Sequence, residues 1–492
     1  MSKVVGIDLG TTFSSIARWA GDRPETYRLK DGTHSLPSIV YIQDSGTPLV
    51  GVHARKRLIT DPPNAVEKAK RFMGDDTKVF HLRDKDYTPV DVSAMILSRL
   101  KEDVESKFPA AAGFELAGAI ITHPQYFKYP QIARTQEAAE AAGLPVIRLL
   151  SEPVAAALDY GFTIYRDLNE ERSEKLLVFD LGGGTFDVTV LHVINELNKL
   201  TFKVLSVGGD DMLGGTNFDD DFLEWALKKE GIDFSSVDQL SRDRSIANLM
   251  QAVIEAKIQL SSYEPVDLPV PNILPGQHMD ITDIERSHFN DIIKPHCDKI
   301  RRIVENTIGT AGLRAGELDR TIMIGGSSRI PIMHKIVEEE TGAQPWANAD
   351  PDLAVCRGAA FLAAMSDGRV DTQKEIVIEE VTAHALGLKA AGDLFSPLIP
   401  GNRPAPVEAT KIYTTNSSSF DVIPYQGQGK RGDKIVDGSD KFIQLKPIQI
   451  SGVELGADGQ ADVKVTFSVN DQQMLYVKIE APGVYEQRQM EF

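Results

Sequence analysis

Two cysteines in the whole chain, Cys297 and Cys356, are too few for a disulfide framework. They read as small apolar residues in a reducing compartment. No run of 18 apolar residues exists, so no membrane-spanning helix is expected, and the first residues have no apolar signal-peptide core. Positive charge is in deficit. The formal net charge of −18 would repel a phosphate backbone and argues against nucleic-acid binding. These absences lead us to expect a cytoplasmic protein with neither a membrane nor a nucleic-acid partner. Catalytic signatures are missing as well: no P-loop, no Rossmann glycine spacing, no Gly-x-Ser-x-Gly elbow and no His/Cys cluster at metal-ligand spacing. What remains is an ordinary globular composition, 42% apolar and 25% charged, in 492 residues, enough for two or three domains.

From residue 3 to about 365, short apolar runs alternate with helical stretches. Val4–Leu9, Ala119–Thr122, Leu176–Asp180, Val188–Val193 and Thr321–Gly325 read as strands. Val92–Lys107, Ile132–Ala142, Phe218–Glu230, Ser245–Ser262 and His288–Ala311 read as helices. The pattern implies an α/β unit with mixed sheets over residues 1–368. A linker follows over 369–382, with Ile376-Val377-Ile378 as a sticky stretch. Residues 383–492 lose helical periodicity. Lys411–Thr415, Phe420–Tyr425, Gln444–Ser451, Asp462–Val469 and Met474–Glu480 read as strands, and Leu455–Gln460 as a hairpin turn, which implies a β-sandwich-like domain.

One segment recurs about 170 residues later. Val5-Gly6-Ile7-Asp8-Leu9-Gly10-Thr11-Thr12-Phe13 is echoed by Val178-Phe179-Asp180-Leu181-Gly182-Gly183-Gly184-Thr185-Phe186. Glycine lets backbone N–H groups approach phosphate oxygens, and threonine hydroxyls add donors. Aspartate beside phosphate needs an intervening cation, and Asp8 and Asp180 suit a hydrated Mg²⁺. One such turn alone reads more readily as a tight hairpin; two in one chain reverse that and favour a nucleotide between duplicated lobes. A third glycine element, Gly325-Gly326-Ser327-Ser328-Arg329-Ile330-Pro331, follows a buried-type strand, and Arg329 is placed to stack on a base.

These three elements, with Ser151-Glu152-Pro153-Val154-Ala155-Ala156-Ala157-Leu158, resemble the signatures of the Hsp70 (DnaK-like) family. The resemblance is specific over the first 365 residues and loose after 383. It implies an actin-like ATPase with ATP or ADP and Mg²⁺ in the cleft. Lys70 is the implied phosphate-contacting lysine, and Glu152 and Asp187 would orient water. Thr185 and Asp180 complete the catalytic set. Gly10, Thr11, Thr12, Gly182, Gly183 and Gly184 would hold phosphates. Lys257, Ser261, Gly325 and Gly326 would hold adenosine, together with Arg329, Ile330 and Asp352. Leu388, Ala391, Phe420 and Val422 fall near the family's peptide groove, and each reads equally as sandwich core. The implied partners are an unfolded or dedicated client, a J-domain co-chaperone and an exchange factor. A maturation factor for one client is the alternative function; a sugar kinase or a filament on the same fold has less support.

The chain also departs from the family pattern. Phe13 replaces a polar residue. Ile254 stands at the ribose-contacting glutamate, with Glu255 one residue late, a turn of about 100° on a helix. Ile132 replaces an arginine of the interdomain relay, although Pro124 is kept. Arg148 matches a position near the J-domain site, but Ser151 and Glu380 replace its neighbours. The sequence ends at Phe492, before the helical lid that the resemblance implies, and a lidless protein is expected to exchange peptide faster.

Overall fold

The computed structural model describes residues 3–107, 115–165, 170–347, 350–370, 374–436, 441–470 and 473–490. Part of the expected linker, Asp371–Gln373, and the terminal Phe492 lie outside them.

Each Asp-Leu-Gly turn joins the first two strands of its own sheet. Val4–Asp8 runs antiparallel to Phe13–Ala20 and parallel to Gly118–His123, which in turn pairs with Val146–Ser151. Arg172–Leu181 runs antiparallel to Phe186–Asn195 and parallel to Arg320–Ile324, and Phe186–Asn195 pairs with Lys199–Asp210. The sequence repeat is therefore a repeat of topology. Two helices lie between the sheets, Glu152–Tyr165 and Ala354–Ser366. Their close packing depends on missing side chains. A Cβ on Gly358 would lie 1.8 Å from the Ala155 carbonyl oxygen, and one on Gly6 would lie 2.1 Å from the Ala360 nitrogen. A continuous apolar cluster, including Val154, Leu158, Val178, Phe202, Ile324 and Phe361, fills the space around these helices.

Element bounds move where local chemistry overrides periodicity. The helix expected to start at Ser245 begins at Gln239, because Asp238 caps it by accepting from the Ser241 N–H at 3.0 Å. The single helix expected over His288–Ala311 is two, Arg286–Ile292 and Lys294–Thr310, with Pro295 opening the second. Beyond residue 383 the described elements are all strands. Phe420–Tyr425 splits into Ser419–Val422 and Pro424–Gly427, which pair with different partners. Gln444–Ser451 splits around Pro447 into Phe442–Gln444 and Ile448–Ser451. Leu455–Gln460 does contain a turn, closed by Gly456 N–H donating to the Gln460 carbonyl at 2.7 Å. Its flanking strands belong to different sheets, however, so it is a corner between sheets and not a hairpin.

The apolar stretch at 376–378 is not free. Glu375–Glu379 adds to the edge of the second sheet, parallel to Lys199–Asp210, with Ile376 and Ile378 packed on the core. Lys203 and Glu379 pair beside it at 3.0 Å. Just downstream, Glu380 is buried, accepts from the Ser151 hydroxyl at 3.1 Å and lies 3.7 Å from Arg148. The two residues that depart from the family pattern here thus bond to each other. The β-strand unit is joined to the lobes by further bonds. Tyr129 N–H donates to the Gln426 side chain at 2.8 Å, and Asn402 bonds both backbone groups of Val207 at 2.7 and 3.3 Å. His384 Nε2 donates to the Tyr126 carbonyl at 2.8 Å. A cavity of about 570 Å³, lined by Ile132, Arg148, Glu380 and His384 among others, lies at this junction.

The added strand generates a prediction. Ile378→Asp places a charge in a half-apolar setting and removes a burial contribution of about 1–2 kcal/mol. Amide exchange across 375–379 is expected to quicken about tenfold or more. Unchanged protection of those amides would show that the strand is held by something other than its apolar face.

Candidate functional site

The two glycine turns face each other across the cleft at backbone distance. A Cβ on Gly183 would stand 2.0 Å from Thr12 Oγ1, and one on Gly184 would stand 2.7 Å from Thr11 Cγ2 and 2.8 Å from Arg71 Cγ. Gly325, at φ +80°, approaches Leu181 and Asp180 as closely, and a Cβ there would lie 2.4 Å from the Leu181 oxygen. Only glycine fits these positions without displacing a turn. Gly10 is equally restricted, by the Phe13 carbonyl at 2.0 Å, while Gly182 has more room.

Carboxylates from both lobes converge behind the turns. Asp180, Asp187 and Glu152 are buried, as is Lys70, whose ammonium donates to Glu152 Oε1 at 2.7 Å. Lys70 lies on a one-turn 3₁₀ helix, Ala69–Phe72, and is not the solvated charge its flanking Lys68 and Arg71 suggest. Burial, and then the Glu152 charge, raise the Asp8 carboxyl to about 7, with Lys70 pulling the other way. Asp180 and Asp187 are pushed well above the carboxylate range, first by burial and next by Glu152. Four carboxyl groups around one ammonium crowd negative charge, which protonation or a further cation relieves. Among the described residues no three candidate ligands sit close enough to enclose a bare ion. The donor set therefore fits a cation held through its own water and a bound phosphate, as Mg²⁺ prefers. Asp187 accepts from the Tyr126 N–H at 2.8 Å through one oxygen, while its other buried oxygen has no protein partner.

Thr11 and Thr185 are buried at the turns, and Thr12 is exposed at the mouth. Lys257 pairs with Asp219 at 2.6 Å and reaches the Gly215 carbonyl at 3.3 Å. Its neighbour on the helix face, Ser261, bonds back to the Lys257 carbonyl at 3.5 Å. Glu255 is exposed and accepts from Gln251, so the helix does not rotate to bring it into the cleft. Arg329 is held by Asp352 at 2.6 Å, both half-exposed, and Ile330 is buried in the second lobe's core. The third glycine element thus presents its backbone, Ser327 and this ion pair rather than a free arginine. Phe13 is 46% exposed, with the Arg55 guanidinium over its ring. In the β unit, Leu388 and Val422 are buried in the sandwich core, Phe420 packs partly on it and Ala391 is exposed.

Sequence reasoning missed Gly214, Gly215, Asp219 and Arg71. A Cβ on Gly214 would lie 2.6 Å from the Gly183 carbonyl, and one on Gly215 would lie 2.1 Å from Ser327 Oγ. Arg71 crosses the cleft to the Met212 carbonyl at 2.9 Å. The Gly-Gly pair directly before a helix was the available signal.

Comparison with known proteins agrees with this architecture. The family profile described as Hsp70 protein matches residues 4–491. The chain is 35% identical over 497 residues to the Chaperone protein DnaK of Thermosipho africanus, covering 99% of this chain and 79% of that one. It is 35% identical over 503 residues to the Chaperone protein DnaK of Thermotoga petrophila, covering 99% and 80%. Paired Asp-Leu-Gly turns on duplicated sheets, a buried Lys–Glu pair and a full-length match lead to one conclusion: the chain belongs to the Hsp70 family.

Proposed function

We propose that this protein is an ATP-dependent chaperone of the Hsp70 type, hydrolysing ATP between the lobes and binding extended apolar segments on the β-domain that begins near residue 383. The observation that carries this reading is the buried Lys70–Glu152 pair set among Asp8, Asp180 and Asp187 at the facing glycine turns. Backbone N–H groups of Gly182–Gly184, with the hydroxyls of Thr11, Thr12 and Thr185, hold the phosphates. Asp8 and Asp180 would hold a hydrated Mg²⁺, which supplies charge neutralisation between the phosphate oxygens. Lys70 offsets charge on the transferring group, and the unpartnered oxygen of Asp187 accepts a hydrogen from the attacking water. Glu152, held by Lys70, fixes the water's other side. Lys257, with the Gly325-Gly326 backbone, receives adenosine. The Arg329–Asp352 pair borders that pocket. Clients, a J-domain protein and an exchange factor are the partners this reading implies.

The match of the Hsp70 profile and of the DnaK relatives over nearly the whole chain favours a general chaperone over a factor for one client. With coupled domains, a fluorescent Leu-rich peptide is expected to bind in ADP and to leave when ATP and Mg²⁺ are added. A peptide that never binds, in a protein that still hydrolyses ATP, would turn the search to a dedicated folded client.

Lys70→Ala is expected to lower ATP turnover by about 100-fold or more. It also strands a buried carboxylate, at a stability cost of about 3 kcal/mol. Lys70→Met combined with Glu152→Gln is expected to regain most of that stability while staying inactive. Turnover within a few-fold of the parent in either protein would remove Lys70 from the mechanism.

A further inference from the structure

One contact between the β-domain and the lobes is made by a titratable ring. His384 lies on the segment that leads into the β-domain strand Ala385–Ala390. Its Nε2 donates at 2.8 Å to the carbonyl of Tyr126, in the first-lobe loop between Gly118–His123 and the helix Tyr129–Ala141. The two rings pack with their centroids 4.5 Å apart. His384 is only 2% exposed. A carbonyl can only accept, so Nε2 carries the proton of the neutral ring and Nδ1 is bare. That Nδ1 is buried and has no partner in the protein. A second proton on the ring would create a buried charged donor with nothing to donate to.

The charged groups around the ring are engaged with one another. Lys128 and Asp211 act on it from the lobe side, and they pair at 2.9 Å. Around the cavity that His384 lines, Glu380 faces Arg148 at 3.7 Å, Glu137 pairs with Arg134 at 2.6 Å and Glu140 accepts from Gln136 at 2.8 Å. His123, in the same wall, is held within its own lobe, where Nδ1 donates to the Pro124 carbonyl at 2.8 Å. Arg403, whose carbonyl accepts from the Thr382 N–H, is exposed, and the β-domain side of the cavity adds only uncharged side chains such as Gln426 and Tyr476. Burial pushes the His384 ring down to about 4 and outweighs the Tyr126 carbonyl and Asp211, which favour the charge.

We propose that His384 is an acid-released latch between the lobes and the β-domain, closed while the imidazole is neutral and opened when the ring takes a proton. The inference rests on the junction alone and holds whatever the cleft binds. An imidazole wetted by undocking takes its proton near 6.5, while the docked ring resists it until about 4. The undocked state therefore binds the proton first. Docking keeps its full strength above about pH 6.5 and weakens about tenfold per pH unit between about 6.5 and 4.

The test is amide exchange in the full chain, with and without ATP and Mg²⁺. The reporters are the Tyr129 and Val207 N–H groups, which donate across the junction to Gln426 and Asn402. Their protection, corrected for intrinsic exchange, is expected to fall by about 30-fold between about pH 7.5 and 5. His384→Gln, neutral and still able to offer an N–H to the carbonyl, is expected to flatten that loss. His384→Leu is expected to flatten it too, and to lower protection about threefold to tenfold at the higher pH by losing the bond. The Glu380 carboxyl is raised by burial and so favours docking as pH falls; Glu380→Gln is expected to leave the loss in place. A pH-independent junction in the parent, or an equal loss in His384→Gln, overturns the inference. A loss that reaches the amides of Arg172–Leu181 reports general acid unfolding and also counts against the latch. Absence of protection near pH 7.5 in both conditions overturns it as well, because the His384–Tyr126 contact is then not populated.

Discussion

The meeting of two Asp-Leu-Gly turns without an intervening side chain is the constraint from which the rest of the molecule follows. Thr12 and Gly183, from lobes encoded about 170 residues apart, are so close that one added methyl would collide. Within the second lobe, Gly214 and Gly325 approach the Leu181–Gly184 turn as closely. Bringing the turns together also brings their aspartates together, and that arrangement is costly. Buried carboxylates resist ionisation, and neighbouring ones raise each other further. One lysine does not balance four acids. The cleft is therefore a preformed cradle of carboxyls that hold their protons more tightly than usual and whose charged forms are favoured by a cation bound there. Structural accommodation and charge frustration are two results of one close approach.

The β-domain is attached through the same geometry. A sheet whose outer strand is left open exposes a row of unpaired backbone groups, and Lys199–Asp210 would be such an edge. Glu375–Glu379 covers it. The covering segment is also the connection to the next domain, so sheet edge and linker satisfy each other's backbone requirements. This explains why a stretch flanked by Glu375, Glu379 and Glu380 carries three apolar residues in a row. Glu380, buried at its end, needs Ser151 and Arg148 to keep its charge inside.

Much of this was legible in the sequence. Strand-then-glycine punctuation marked both lobes, and the change of periodicity after Ala364 marked the all-β unit. Inside elements, hydrophobic spacing placed Val4–Asp8 to within one residue, while the expected Val188–Val193 is the centre of a longer strand, Phe186–Asn195. Illegible were the consequences of contacts between distant segments. The strand character of 375–379 depends on a partner about 175 residues upstream. The burial of Lys70 depends on Glu152, since its local sequence, with Lys68 and Arg71 alongside, resembles a solvated face. Arg329 was placed by its position after a glycine pair, and Asp352, 23 positions later, redirects it. Prolines account for the split elements: Pro295 and Pro447 each interrupt a pattern that periodicity alone would continue.

The absence of the relay arginine at Ile132 bears on how the domains hold together. In this chain the junction is made by side chains of the β-domain reaching lobe backbone: Gln426 to Tyr129, His384 to Tyr126 and Asn402 to Val207. Bonds to backbone do not depend on which residue occupies position 132, so Ile132 is free to be apolar and line the cavity. Each bond is worth about 0.5–1.5 kcal/mol net. Such bonds contribute to coupling only so far as they are made in one state of the domains and lost in another. Tyr126 holds the central position. Its carbonyl receives the β-domain through His384, its N–H holds Asp187, and its ring lies against Gly209 and the His384 ring. Any displacement of the β-domain that pulls on His384 acts on the same residue that fixes the Asp187 carboxylate. The geometry thus needs no arginine to join the two domains, only a rigid tyrosine backbone shared between them.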